Sequence, residues 1–386
     1  MSAGPLPSAF ERYDTLQDQH RMWRVEEPAG SYWLCLDREL IVQGLQDTET
    51  FSSSAIVVLD PEPVIRMKPI QLDPPEHSKW RKMLASYFSV KRMPHLENRI
   101  RERVTELLDE VLPKGECDFV TDIAMRFPSV IFLEIIGLPT DELETFLEWE
   151  AAALHSDPDT PDREAQFGVL MQVMARFQQA IDERRARPDS EATDIISHAV
   201  AWEIDGQPVR DADILECCLL LFLAGLDTVT NELSYAIWHL STHERDRSAL
   251  RDNPPLIPQA TEELLRTFSI PQLARKVTHD TTFGSQDLKT GDMVLFSLAA
   301  ANRDPEAIQR AREVIFEREA TPHYAFGAGP HRCLGSHLAR QEINIFLAEW
   351  CARVPNYELA TREEIIEHRG SVHGIAHLPV QWNTSA

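Results

Sequence analysis

The segment Phe326-Gly327-Ala328-Gly329-Pro330-His331-Arg332-Cys333-Leu334-Gly335 sets one cysteine at the end of a glycine-rich loop. Directly after it, Leu334 to Val354 carries apolar residues at three-to-four spacing, the signature of a helix. No other feature of the 386 residues restricts the fold as closely. Glycines let the backbone turn and approach a planar ligand, and amides at the start of the following helix donate to the sulfur and favour a thiolate. The other five cysteines, at 35, 117, 217, 218 and 351, lack such surroundings, and none of the six is spaced as C-x-x-C. Neither a zinc site nor a disulfide framework is expected. An arbitrary cysteine at a helix entrance would be a buried, inert thiol; the neighbours of Cys333 predict a thiolate with a task.

Helical periodicity dominates the rest of the chain: Leu96 to Val111, Asp141 to His155, Glu164 to Arg185, Arg210 to Leu240 and Pro258 to Phe268. Strand signals are few and short, at Tyr32 to Leu36, Ala274 to Thr278, Met293 to Phe296 and Ala376 to Val380. The pattern predicts a mainly α protein with small β-sheets. The helix from Arg210 to Leu240 would be roughly 45 Å long, enough to cross the molecule. Pro158 to Pro161 and Pro188 to Ser190 punctuate helices rather than separate domains, and there is no internal repeat. A single domain over residues 1–386 is expected, with 1–31 as its N-terminal segment. Apolar residues at 43% and charged ones at 26% support a packed core and a solvated surface. The net charge of -24 disfavours nucleic-acid binding. Met1 to Asp14 has no signal core and no apolar run reaches membrane length, so a cytoplasmic protein without membrane contact is expected.

Ferric haem takes a thiolate as a proximal ligand, whose electron push favours O–O cleavage. The cysteine loop resembles the haem-binding signature of the cytochrome P450 family, F-x-x-G-x-[HR]-x-C-x-G, matched by Phe326, Gly329, His331, Cys333 and Gly335. The resemblance implies the cytochrome P450 fold, a helical haem-binding domain with a minor β-rich region. It implies haem b as cofactor, Cys333 as the iron ligand, and Phe326 and Gly335 beside it. Within the long helix, Ala224-Gly225-Leu226-Asp227-Thr228 resembles the family's oxygen-activation motif, [AG]-G-x-[DE]-T. Taken alone, this stretch fits a buried helix in which Thr228 back-bonds to a carbonyl and Asp227 makes an ion pair. It also fits a local distortion near Gly225 that opens a groove, with Asp227 and Thr228 managing protons. The resemblance implies the second, with both as catalytic residues.

Glu263-Leu264-Leu265-Arg266 sets a carboxylate and a guanidinium at i and i+3. It resembles the family's E-x-x-R motif, which implies a scaffold supporting the haem loop. The family completes that cluster with an arginine or histidine, and alignment of Asp304-Pro305-Glu306 through Phe316 puts Glu313 there with Arg312 beside it. Haem propionates are costly to bury unpaired. By resemblance their partners are His77 and Arg81, within Asp73-Pro74-Pro75-Glu76-His77-Ser78-Lys79-Trp80-Arg81, together with Arg275 and His331.

The resemblance runs from about Tyr32 to Trp382 and is nearest in style to soluble bacterial enzymes of the camphor-hydroxylase type. It implies a substrate wall of Ile65, Met67, Leu223, Ala224, Thr228, Ile270, Pro271, Gln272, Ser371 and Val372, suited to a terpenoid-like or aromatic molecule. The camphor enzyme anchors its substrate with a tyrosine, and Ser52 to Glu76 contains none, so camphor itself is not expected. Ser156 to Asp162 is expected to form a mobile lid. With neither a dinucleotide fingerprint nor an iron–sulfur cysteine cluster, electrons must arrive from outside. The basic stretch from Lys79 to Arg103, with Lys82, Arg332 and Arg340, predicts docking of an acidic ferredoxin served by a separate NAD(P)H-dependent reductase. The expected protein is a monomeric haem-thiolate monooxygenase that uses O2 to hydroxylate a small apolar substrate. The alternatives are a peroxide-driven peroxygenase, which commonly lacks the acid–alcohol pair kept here, and a non-catalytic haem sensor or carrier.

Overall fold

The computed structural model describes residues 4–5, 8–154, 163–360, 365–368 and 372–384. Its α-helices are α1 Ser8–Gln17, α2 Arg38–Gln46, α3 Glu76–Leu84, α4 Met93–Val111, α5 Arg126–Ile136, α6 Leu143–Leu154 and α7 Arg163–Ala186. They continue with α8 Ile195–Ala199, α9 Asp211–Thr242, α10 Glu244–Asp252, α11 Ile257–Thr267, α12 Leu298–Asn302 and α13 Ser336–Arg353. The expected helices α4, α6, α7, α9, α11 and α13 are present, with ends shifted by a few residues. The expectation for α6 extended to His155, which lies outside the described residues, as does the expected lid at Ser156 to Asp162.

Two kinds of helix escape the periodicity. In α5, Phe127, Ile131, Phe132, Leu133 and Ile136 are buried together with Pro128 and Ser129, so little polar contrast marks its faces. In α3 the buried positions are His77, Trp80 and Leu84, and a histidine does not register as apolar. Among the strands, Gly30–Cys35, Gln272–Val277 and Met293–Ser297 fall where expected. Ala376 to Val380 does not: the chain pairs at Gly374–Ile375, turns, and pairs again at Pro379–Trp382. Asp118 makes the turn, accepting from Leu378 N–H at 3.2 Å and pairing with His377.

One five-stranded sheet runs in the order Met22–Glu27, Gly30–Cys35, Met293–Ser297, Gln272–Val277, Phe51–Ser52. Its middle strand is parallel to Gly30–Cys35, with Val294 opposite Trp33, and antiparallel to Gln272–Val277, with Val294 also opposite Arg275. This register ties residues near the N-terminus to a strand that follows α11. The apolar core has two main parts. One joins α4, α13, the sheet and the second half of α9; the other joins α3, α5, α6, α7 and the first half of α9. Helix α9 therefore belongs to both, and the seam between its two halves falls at residues 224–228. No helix among the described residues is long and apolar enough to cross a membrane.

Candidate active site

A close backbone approach shapes the cysteine loop. Gly329 has φ of 69°, and a β-carbon there would lie 2.4 Å from the Leu45 carbonyl oxygen of α2. Only glycine fits. The loop then folds back, with the Cys333 N–H donating to the Phe326 carbonyl at 2.8 Å. The Cys333 side chain is exposed, yet burial within the protein pushes its pKa up, while the Gly335 N–H, Arg81, Arg332 and Arg340 pull it down. A thiol that is exposed and still feels burial faces an internal space. Arg340 lies 4.4 Å over the Phe326 ring and donates to Glu262 of α11 at 2.5 and 2.9 Å. Burial pushes Glu262 up, but hydrogen bonds from His323 and Arg340 outweigh it and hold the carboxyl at about 2. The loop is thus fastened to α11.

His77, Arg81, Arg275 and His331 come together from α3, the central sheet and the cysteine loop. The His77 and His331 rings lie 3.8 Å apart between centroids, and His331 Nε2 is 3.1 Å from Ser53 Oγ. Asp73 braces Ser52 and Ser53, accepting from Ser53 N–H at 2.8 Å and Ser52 Oγ at 2.5 Å. Each basic group suppresses the others. Burial, then Arg81 and Arg275, hold His77 at about 4; burial, then Arg275, His77 and Arg81, hold His331 at about 2. Burial lowers Arg275 to about 10, offset in part by Asp73. His77 Nδ1 is buried with no hydrogen-bond partner among the described residues. Four crowded donors with an orphaned nitrogen are short of anions, and the two propionates of haem b are the matching complement. The residues present fit that cofactor.

Helix α9 carries the acid–alcohol pair. Ala224 is exposed and Thr228 half-buried between turns of buried residues, so this part of the helix borders an internal space. Helix α9 is continuous from Asp211 to Thr242 through Gly225. A β-carbon at Gly225 would meet Phe132 of α5 at 3.4 Å. Thr228 Oγ1 donates to the Ala224 carbonyl at 3.0 Å. Asp227 is buried and accepts from Asn231 Nδ2 at 2.7 Å on its carboxylate.

The pair Glu263 and Arg266 is 5% and 1% exposed, which excludes a solvated surface pair. Arg266 donates to Glu263 through Nε at 2.8 Å and Nη2 at 2.9 Å, and to the carbonyls of Asn302, Ala311 and Glu313. The third member is Arg318, whose Nε donates to Glu263 Oε1 at 2.9 Å. Neither Glu313 nor Arg312 fills that place. Glu313 pairs with Arg310, and Arg312 pairs with Asp18 and Asp14. Arg318 stands two residues past Phe316, beyond the point where the alignment stopped.

The expected substrate wall is brought together in two groups. Ile65, Met67 and Leu223 pack on the α3–α7 part of the core. Ile270 is buried in the other part, where Pro271 bridges Val372 and the His373 N–H donates to the Ile270 carbonyl at 3.0 Å. Gln272 is buried, with Nε2 2.9 Å from His373 Nε2. Ser371 lies outside the described residues. Lys68, which sequence reasoning passed over, pins the Ile65–Met67 loop to the start of α9 through Asp213 at 2.5 Å and Glu216 at 3.1 Å.

A helical shell around an exposed interior thiol and a cluster of anion-seeking donors defines a haem-thiolate oxidoreductase. The family model described as cytochrome P450 matches residues 160–364. The chain is 34% identical over 344 residues to the probable cytochrome P450 127A1 of Sinorhizobium fredii, covering 88% of this chain and 80% of the relative. It is 30% identical over 317 residues to the mycinamicin VIII C21 methyl hydroxylase of Micromonospora griseorubida, covering 81% of this chain and 80% of that one. The crystal structure of CYP101J2 matches with a TM-score of 0.89 at 28% identity, over 99% of this chain and 95% of that one. The chain belongs to the cytochrome P450 family, whose members are haem b monooxygenases.

Proposed function

We propose that residues 1–386 work as one unit that hydroxylates a small apolar molecule, terpenoid-like or aromatic, with O2 and with electrons from an acidic ferredoxin and its NAD(P)H-dependent reductase. The observation that carries this reading is the retention of Asp227 and Thr228 where α9 borders an internal space. A haem carrier has no use for a buried acid beside an alcohol. The C21 methyl hydroxylase relative supports C–H hydroxylation as the reaction type.

Haem b supplies the oxidising chemistry when bound. Cys333 would hold its iron through sulfur, with the Gly335 N–H, Arg81, Arg332 and Arg340 favouring negative charge on that atom. His77, Arg81, Arg275 and His331 would receive the propionates, and Phe326, steadied by Arg340, would close the thiolate side. Asp227, held by Asn231, would take up a proton and pass it to Thr228 Oγ1, while Ile65, Met67, Leu223, Ala224, Ile270, Pro271, Gln272, Ser371 and Val372 would orient the substrate and exclude water. Thr228→Ala should lower product formed per NADH by roughly tenfold or more, with the lost reducing equivalents recovered as hydrogen peroxide. Unchanged coupling contradicts the reading.

The basic stretch is more compensated than its composition suggests. Arg99 and Arg103 pair with Glu134, Arg101 with Glu349, Lys79 with Asp205 and Arg340 with Glu262. Lys82 and Lys91 are exposed and have no ion pair among the described residues, which makes them better docking candidates than Lys79 or Arg340. The double variant Lys82→Glu, Lys91→Glu should slow electron transfer from an acidic ferredoxin about tenfold or more at low salt, with a weaker salt dependence. An unchanged rate places docking elsewhere.

A further inference from the structure

Helix α6 carries an acid that the mechanism above does not use. Glu150 is 0% exposed, and among the described residues neither Oε1 nor Oε2 has a hydrogen-bond partner. It lies one turn after Phe146, which touches Phe222 of α9 with ring centroids 5.7 Å apart and Phe177 of α7 at 6.2 Å. Glu150 stands four residues after Phe146 on α6 and Asp227 five residues after Phe222 on α9, so each acid follows its own helix's member of this ring contact. Burial, reinforced by the negative charge of Asp227, pushes the Glu150 carboxyl well above the usual range. Among the described side chains on the elements packed against α6, Arg176 of α7 pairs with Glu142, Arg126 of α5 with Glu144, and Glu134 of α5 with Arg99 and Arg103, while Glu232 of α9 is a further buried acid whose Oε1 has no partner. An ionised carboxylate without a partner is too costly to hold there, and the adjoining charge of Asp227 makes it costlier. Burial therefore favours the protonated form of Glu150. An apolar side chain of the same length would fill this place without leaving two buried oxygens unsatisfied.

We propose that Glu150 is a further proton-transfer residue of this enzyme, a neutral acid stored behind Asp227 that recharges it during turnover. The inference rests on the proton-handling role of Asp227 and Thr228. In the step, the O–H bond of the Glu150 carboxylic acid breaks as an O–H bond forms on the Asp227 carboxylate. Glu150 is left ionised, Asp227 neutral, and no electrons change hands. Asp227 then yields that proton toward Thr228, and Glu150 regains one from solvent water before the next turnover. Since no direct hydrogen bond joins the two carboxyls, transfer runs through one water or through rotation of the Glu150 side chain.

The test compares the haem-loaded full chain with Glu150→Gln, which keeps shape and neutrality but has no proton to give, and with Glu150→Leu as a second variant that removes the unsatisfied oxygens. Infrared spectra at neutral pH should show a neutral carboxylic acid C=O band that shifts in heavy water and is missing from both variants. Burial also raises Glu232 of α9, and raises Glu342 of α13 to about 8, so their bands remain as internal references. Coupling of NADH use to product should fall roughly three- to tenfold in Glu150→Gln. In the wild type coupling should decline as rising pH removes the Glu150 proton, and this limb should be lost in the variant. Spin-state shifts on substrate binding, which report the pocket and not proton supply, should be unchanged. Loss of no carboxylic acid band in either variant overturns the proposal, as does wild-type coupling and pH dependence in Glu150→Gln. If Thr228→Ala uncouples the enzyme while Glu150→Gln does not, the stored proton is refuted and the acid–alcohol reading stands. If neither uncouples, both fall.

Discussion

Replacing Cys333 by serine should leave a folded protein that turns over at least about a thousandfold more slowly, with reductant and with peroxide alike. The hydroxyl differs from the thiol by one atom, so the backbone bond from Cys333 N–H to the Phe326 carbonyl and the approach of Gly329 to Leu45 survive. What disappears is the anionic sulfur. Arg81, Arg332, Arg340 and the Gly335 N–H already oppose the effect of burial on that thiol, and a bound metal would complete its deprotonation. A serine alcohol, with a far higher pKa, gains too little from the same surroundings to replace it. Near-normal turnover in Cys333→Ser contradicts the assignment of the ligand.

Removing the Glu263 carboxylate should cost about 3–5 kcal/mol, because Arg266 and Arg318 are then buried cations without a counter-charge. Total stabilities of about 5–15 kcal/mol make this a large share. The cluster does more than pair charges. Glu263 Oε1 also accepts from Ile315 N–H at 2.9 Å, Arg318 donates to the carbonyls of Gln309 and Arg310, and Arg266 reaches Asn302, Ala311 and Glu313. Between α12 and the cysteine loop the chain has no regular helix or strand, so these bonds from α11 substitute for the missing ladder. Glu263→Ala should shift chemical denaturation by that amount and release haem sooner, Arg318→Ala should shift it by a smaller but clear amount of about 1–3 kcal/mol because Arg266 still pairs with Glu263, and Arg312→Ala should shift it by less than about 1 kcal/mol. Equal effects of Arg312→Ala and Arg318→Ala would contradict Arg318 as the third member.

Local chemistry explains which parts of this arrangement are legible in the amino-acid sequence. The cysteine loop and the E-x-x-R pair can be read because backbone constraint and short spacing put their residues within a dozen positions. The long helices can be read because one face alternates with the other, as Ile100, Val104 and Leu108 do in α4. Arg318 is not legible in the same way: it reaches Glu263 across 55 positions through an irregular segment. Gly225 is legible as a small residue in the apolar run of α9, but its place beside Phe132 depends on another helix altogether. The positive stretch from Lys79 to Arg103 is legible as charge, but its acid partners Glu134, Asp205 and Glu349 come from distant elements. Glu150 carried a local signal, since it stands four residues after Phe146 on the apolar side of α6, yet its meaning depends on Asp227 across the helix interface.

The central claim is that Cys333 holds haem iron through a thiolate. Absorbance of the reduced, carbon monoxide-bound protein tests it most directly. The wild type should show the long-wavelength Soret band of a thiolate-ligated haem, and Cys333→Ser should retain haem but lose that band. A wild-type spectrum typical of histidine ligation, or a thiolate band that persists in Cys333→Ser, would contradict it.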